Sequence, residues 1–195
     1  LVTNAKHDRA RFLGYEIGVI YGDKMVQQKL ATGRITKRRS INGQVQLYVP
    51  QDVRDKWVRK YQKNGKVTHR NRFLSYNDFE IIHAYGSEWR GLVGYYSLAA
   101  NIHSLRQVEW NALRSCQKTL AGKHKTTSRK IRDQYEAHVN GKLCLMCEVE
   151  NPNNPQKPLR AFMGGIPLRT ERNIDIGTYD KIVWNPRFGR VELTQ

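Results

Sequence analysis

Nine apolar residues between positions 92 and 120 step along the chain by three and four: Leu92, Tyr96, Ala99, Ile102, Leu105, Val108, Ala112, Cys116 and Leu120. This spacing places about one side chain per turn on a single helical stripe, and so continuous a stripe has to be buried. It predicts helix and excludes a strand anywhere in Leu92–Leu120. Ser104 with Gln107 matches a capping box, so two helices are expected to meet near His103, with Gly122 closing the second. A third helix is expected from about Ser128 to His138, ended by Asn140-Gly141. Residues 86–140 therefore read as a compact unit of about three helices.

The flanking segments have a different period. Residues 10–20 are rich in aromatic and β-branched side chains and read as a strand, followed by a turn at Tyr21-Gly22-Asp23. Asn42-Gly43 is a hairpin signal, and Gln44–Val49 alternates as a half-buried strand does. The first strand is expected to pair with Tyr21–Val26 or with Gln44–Val49. Pro50 opens a helix that carries Val53, Trp57 and Tyr61 on one face and ends at Asn64-Gly65. A short helix is expected from about Ser75 to Tyr85, capped by Ser75 or Asn77 and stopped by Gly86. Beyond residue 140 the chain reads as a strand over Leu143–Val149 and a Pro/Asn loop over Asn151–Pro158. An irregular Gly-rich stretch over Ala161–Leu168 follows, then short extended pieces around Trp184, Pro186 and Gly189. The fold class is α+β, in three segments: 1–50, 51–140 and 141–195.

Charge narrows the function. The 195 residues hold 34 Lys and Arg against 17 Asp and Glu, a net charge of +17. Such an excess repels itself unless an anion neutralises it, and polyphosphate is the usual partner. From Lys24 to Gln51 there is no acidic residue, while Lys24, Lys29, Arg34, Lys37, Arg38 and Arg39 are all cationic. This insertion has no apolar periodicity and suits a flexible electrostatic arm. Trp110–Arg132 is also free of acid and carries Arg114, Lys118, Lys123, Lys125, Arg129, Lys130 and Arg132. A helix face built only for solubility would interleave Glu with Lys. With nothing inside the stretch to pair with, these cations are expected to face solvent or phosphate, and binding would depend on salt. The plainer alternative is a merely solvated face. Trp57, Tyr61, Trp89, Tyr95, Tyr96 and Trp110 interleave with the charge. They could stack on unpaired bases or pack in the core. Helical spacing favours the core for Trp57, Tyr61 and Tyr96 and leaves Trp89 and Tyr95 open.

Other chemistry is set aside. Cys144 and Cys147 have metal-ligand spacing, but no second pair completes four ligands. Strand alternation puts Cys147 with Leu143, Leu145 and Val149 and turns Cys144 to the opposite face. Three cysteines give no disulfide framework. The six histidines are scattered, Gly164-Gly165 is too short for a phosphate loop, and no paired carboxylates stand out. No catalytic residue, metal site or cofactor is expected in this chain. No apolar run approaches the roughly 20 residues that span a bilayer, and the N-terminus has no signal-peptide pattern. The expectation is a soluble, unsecreted protein with no membrane partner.

Two segments carry a family resemblance. Arg11-Phe12-Leu13-Gly14-Tyr15-Glu16-Ile17 resembles the last palm motif of reverse transcriptases, the hairpin that grips the primer end. The second segment begins at Arg90-Gly91-Leu92, Tyr95-Tyr96, Ala99, Asn101 and Leu105. It continues through Ser115, Lys118-Thr119-Leu120-Ala121, Lys123 and Lys125, and it resembles the maturase domain of group II intron-encoded proteins. The resemblance covers residues 1–140; residues 141–195 more weakly resemble a connector to a C-terminal DNA-binding and endonuclease domain. It implies that 1–50 is the end of a palm with a basic insertion and 51–140 a helical thumb. It further implies that Phe12, Leu13, Gly14 and Tyr15 form a primer grip. The implied RNA-binding residues are Arg34, Lys37, Arg38, Arg39, Arg90, Asn101, Arg114, Lys118, Lys123, Lys125, Arg129 and Lys130. The implied partners are group II intron RNA, an RNA template–cDNA duplex and, through the C-terminal domain, target DNA, in a bacterial cytoplasm or an organelle. The family's Tyr-x-Asp-Asp turn does not occur here. The chain is thus expected to begin after the catalytic strand, to lack its native start at Leu1 and to be inactive alone. Magnesium and DNA synthesis would belong to the palm of the parent protein. The alternatives are the thumb of a retron-like or defence-associated reverse transcriptase without a splicing role, or a nuclease domain within 141–195.

Overall fold

A computed structural model describes residues 8–20, 25–30, 32–39, 43–139, 141–152, 154–171, 182–185 and 190–193. The Tyr21-Gly22-Asp23 turn, Asn42, Asn140, Pro186 and Gly189 lie outside the described residues.

The architecture is α+β. At the N-terminus β1 (Ala10–Phe12) and β2 (Tyr15–Ile20) form a hairpin, and β2 also pairs antiparallel with β5 (Gln44–Tyr48), with Glu16 opposite Tyr48 and Ile20 opposite Gln44. Of the two pairings expected for this strand, the distant one forms. Between β2 and β5, β3 (Met25–Lys29) and β4 (Ile35–Arg39) make their own two-stranded hairpin. The basic insertion thus holds a regular ladder over Met25–Lys29 and Ile35–Arg39, where its lack of apolar period suited a flexible electrostatic arm.

Next come α1 (Gln51–Lys60), β6 (Gln62–Lys63) and β7 (Lys66–Val67). Helix α1 ends at Lys60, and Asn64-Gly65, expected to end that helix, is instead the turn between β6 and β7, with φ of 52° and 73°. Those values are what a two-residue hairpin turn of the I′ kind needs.

Helix α2 (Asp78–Tyr95) is the central element. Asn77 caps it in a reciprocal capping box with Glu80, as one of the two expected caps. It runs straight through Gly86, which was expected to stop it. A Cβ at Gly86 would sit 1.9 Å from the carbonyl oxygen of Phe162 in β10 (Leu159–Gly164), so the glycine is there to let a strand cross the helix at backbone contact. Residues 161–164, expected to be irregular, are strand for the same reason. β10 pairs with β9 (Lys142–Val149), which pairs with β8 (Glu136–Val139), and this sheet covers α2. A further hairpin joins β11 (Ile182–Asn185) to β12 (Arg190–Leu193).

Helix α3 (Arg106–Lys123) follows a 3-10 turn at Ile102–Leu105, and α4 (Ser128–Tyr135) follows α3. All nine stripe residues from Leu92 to Leu120 are buried, and no strand interrupts Leu92–Leu120. The capping box expected from Ser104 and Gln107 does not form: the Ser104 hydroxyl is buried without a partner, and the residue before α3 is Leu105, already helical. Helix α4 stops at Tyr135 instead of His138, because Glu136–Val139 is taken up as the edge of the β9 sheet. Trp89 and Tyr61 are each 1% exposed and Tyr96 is buried, while Trp57 is only half-buried.

The inner face of α3 is not purely apolar. Asn111, Ser115 and Thr119, spaced by four, are buried. Asn111 accepts from the Gln62 amide (2.7 Å), Ser115 donates to the Thr68 carbonyl (2.7 Å), and Thr119 accepts from the Arg70 backbone N–H (3.1 Å). Tyr85 lies 2.9 Å from both the Ser115 and Thr119 hydroxyls, and burial pushes its phenol up to about 12. Ser115 and Thr119 thus replace water along the chain leaving β7, so its backbone groups stay satisfied inside the fold, while Asn111 holds the Gln62 side chain of β6.

Candidate nucleic-acid interface

The residues singled out in the sequence fall in four places, the last of them the β3–β4 ribbon. The first is the tip of the β1–β2 hairpin. Leu13 and Gly14 form its two-residue turn with φ of 45° and 76°, and Phe12 and Leu13 are 60% and 72% exposed. A leucine in left-handed backbone is strained by about 1–2 kcal/mol. Such strain persists only when the surroundings hold it. Three tyrosines do so. Tyr95 donates to the Leu13 carbonyl, Tyr96 to the Gly14 carbonyl (3.1 Å), and Tyr15 reaches back to the Tyr95 carbonyl. Their rings pack with centroids 4.9–5.6 Å apart. Burial of Tyr15 and Tyr96 raises both phenols above their ordinary range. Tyr95, left open by the sequence, is the outer member of this latch at the end of α2. Arg11 pairs with Asp52 of α1, tying the hairpin's other side.

The second place is the α2–α3 junction. Asn101 faces Val49: its Oδ1 accepts from the Val49 N–H (2.7 Å) and its Nδ2 donates to the Val49 carbonyl (3.2 Å). Its amide thus closes a backbone pair between β5 and the helices. Arg90 is exposed, with one nitrogen on the Phe162 carbonyl (3.3 Å) and another on Ser87 (3.0 Å).

The third place is the surface of α3 and α4. The acid-free stretch finds acids outside itself: Lys123 binds Asp78 at 2.7 Å, and His124 and Tyr135 hold the same carboxylate. Burial pushes the Asp78 carboxyl up, but the bonds from Lys123, Tyr135 and His124 outweigh this and hold it below its ordinary value. Arg132 pairs with Asp133 and Glu136. Lys123 is therefore mainly a structural cation, which spacing within the stretch could not reveal. Lys125, Arg129 and Lys130 are exposed, and among the described residues none of them has an acidic partner. Lys118 is exposed with its amine on the Val67 carbonyl (2.6 Å), and exposed Arg114 lies over Trp110. Arg34 and Lys37 are exposed on the β3–β4 ribbon, where Arg38 and Arg39 stand opposite Val26 and Met25.

One further cluster was not singled out. Glu88 of α2 binds Lys60 (3.0 Å), Arg70 (2.9 Å) and Arg72 (3.1 Å), so one carboxylate organises three cations and leaves the site positive. Burial raises this carboxyl, and its bonds to Arg70 and Lys60 outweigh that and lower it. Only the charge density of residues 54–72 hinted at it.

Against known proteins, the family of type II intron maturases matches residues 42–153, more than half of the chain. The chain belongs to that family. Group II intron-encoded protein LtrA of Lactococcus lactis subsp. cremoris is 36% identical over 144 residues, 70% of this chain and 23% of that protein. Maturase K of Palhinhaea cernua is 25% identical over 143 residues, 71% of this chain and 27% of that protein. The putative COX1/OXI3 intron 1 protein of Saccharomyces cerevisiae is 32% identical over 144 residues, 68% and 17% respectively. The chain spans about a quarter or less of these relatives' length. The maturase match spans β5, α1 to α4 and the β8–β9 hairpin. This favours a group II intron maturase over a reverse transcriptase without one. Among the described residues no helix is long and apolar enough to cross a membrane, and no three His, Cys, Asp or Glu side chains gather into a metal-ligand set.

Proposed function

We propose that this maturase-family chain binds group II intron RNA through the outer surface of α3 and α4 and thereby assists splicing. The observation that supports it most is the exposed set Lys125, Arg129 and Lys130, which lacks an acidic partner among the described residues. Cations held apart from acids gain little from folding and much from phosphate, because each contact releases condensed counterions. A-form RNA hides its base edges in a deep groove, so the contacts are to phosphates, 2′-hydroxyls and shape. In the larger protein, the same unit clamps an RNA template–cDNA duplex for retrohoming, and the Phe12–Tyr15 tip meets the primer end. Any contact to target DNA, like DNA synthesis with its magnesium, belongs to segments outside this chain.

The test is binding of a group II intron RNA across a salt series. Changing Lys125, Arg129 and Lys130 to Ala should weaken binding and lower the slope of log K against log salt by up to about 3 units. Lys123 is left in place because its removal would take away one of the three side chains that hold the Asp78 carboxylate. An unchanged slope would mean that these side chains only solubilise the domain.

A further inference from the structure

A shallow groove of about 500 Å³ runs between α3 and the β6–β7 hairpin, lined by Gln62, Lys66, Val67, Trp110, Arg114 and Lys118 together with Gly65. Trp110, Arg114 and Lys118 stand at i, i+4 and i+8 and so share one face of α3. Trp110 is 55% exposed, unlike Trp89 in the core, so packing does not account for its indole. The Arg114 guanidinium stands 5.7 Å from the indole centroid and donates to Gln117 (3.3 Å). Lys118 is steered across the groove by the Val67 carbonyl (2.6 Å). The walls are fixed to each other beneath the surface by the Gln62–Asn111 and Ser115–Thr68 bonds, at 2.7 Å each. Among the described residues no carboxylate lines the groove.

A flat aromatic face with three cations beside it and no acid is the combination that stacks a base and neutralises its phosphate. We propose that this groove captures one unpaired nucleotide of an RNA strand, with the base on Trp110 and the flanking phosphates among Lys66, Arg114 and Lys118. A base inside an A-form duplex offers no free face, so the occupant comes from a loop, bulge or single strand. The proposal rests on the RNA-binding reading above but uses different residues. It adds a site that discriminates unpaired from paired RNA, where the α4 cations sense only charge and shape.

The experiment compares two RNAs of equal length, a hairpin with a loop carrying 2-aminopurine and a blunt duplex, on the full chain. The unsubstituted chain should quench the 2-aminopurine on binding. Trp110→Ala should weaken the hairpin roughly 5- to 150-fold, the range of one stacked base. It should leave the duplex affinity and the salt slope unchanged, and Trp110→Phe should restore most of the loss. Arg114→Ala with Lys118→Ala should lower the slope by up to about 2 units. Absence of quenching by the unsubstituted chain would overturn the proposal whatever the variants do. So would an equal loss on hairpin and duplex in Trp110→Ala, or Trp110-dependent binding of a poly-Glu peptide as tight as that of the loop. If the unsubstituted chain bound neither RNA in a salt-dependent way, the broader reading would fail. Salt-dependent binding without loop preference would sink this proposal alone.

Discussion

Gly86→Ala separates local propensity from tertiary packing more sharply than any other substitution in this chain. In the interior of an isolated helix, replacing glycine by alanine gains about 1 kcal/mol. At Gly86 the added methyl would sit 1.9 Å from the Phe162 carbonyl oxygen and 3.0 Å from its carbon. Reaching a tolerable separation moves β10 away from α2 by about 1 Å at their crossing, where Ala161 and Met163 are buried. Overpacking of this kind costs about 1–3 kcal/mol, and more where backbone has to move. The propensity gain offsets only part, so a net loss of about 2 kcal/mol is expected. For a chain of this size that is a fall in melting temperature of about 4–8 °C. At Gly91, further along the same helix, an added methyl would meet nothing within 4 Å, so Gly91→Ala should raise the melting temperature slightly. Thermal denaturation of the two variants, followed by circular dichroism, decides between them. If Gly86→Ala is as stable as Gly91→Ala, β10 does not cross α2 in backbone contact, and α2 runs through Gly86 for some other reason.

Asp78→Asn should cost about 1–2 kcal/mol at neutral pH through its weakened bonds to Lys123 and Tyr135. Because the Asp78 carboxyl is lowered on folding, its contribution is present above the unfolded value near pH 4 and fades as pH falls through the folded one. Denaturant titrations should therefore show the variant's deficit shrinking on acidification; a deficit that persists undiminished in acid would contradict this. Leu13→Gly should relieve left-handed strain and raise stability by about 1 kcal/mol. In the intact parent protein it should slow primer extension, and unchanged extension would leave the apolar tip without a role. Tyr95→Phe removes one latch bond while keeping the ring, and should speed amide exchange in Leu13–Tyr15 without a large change in global melting.

The helical core was legible because its signal is local. Each stripe residue from Leu92 to Leu120 announces its burial by the spacing of its near neighbours. What stayed hidden depends on partners far along the chain. Gly86 looked like a stop because Phe162, which requires it, lies 76 residues away in sequence. Asn64-Gly65 serves equally as a helix end or a hairpin turn, and only the pairing of Gln62 with Val67 chooses. Nothing in the local spacing marks Asn111, Ser115 and Thr119 as buried, since the Gln62 amide, the Thr68 carbonyl and the Arg70 N–H that they bind all belong to another segment. The same holds for the site. The acid-free composition of Trp110–Arg132 was visible, but the removal of Lys123 from the exposed set depends on Asp78, 45 residues upstream. The cations of Glu88 were visible singly and not as a cluster.

The Asn101 clasp on Val49 bears on where the molecule can be divided. Composition changes at Pro50, which invites a cut there to isolate the helices. Yet Val49 is 1% exposed, both its backbone groups are held by Asn101, and the Leu47 carbonyl accepts from Ala100 at 2.8 Å. A fragment begun at Gln51 would uncover the Tyr96 ring and leave the Asn101 amide without its partners, just where α2 hands over to α3. The strand that precedes the helices is thus part of their scaffold, and the smallest piece able to stand alone should start upstream of Gln44.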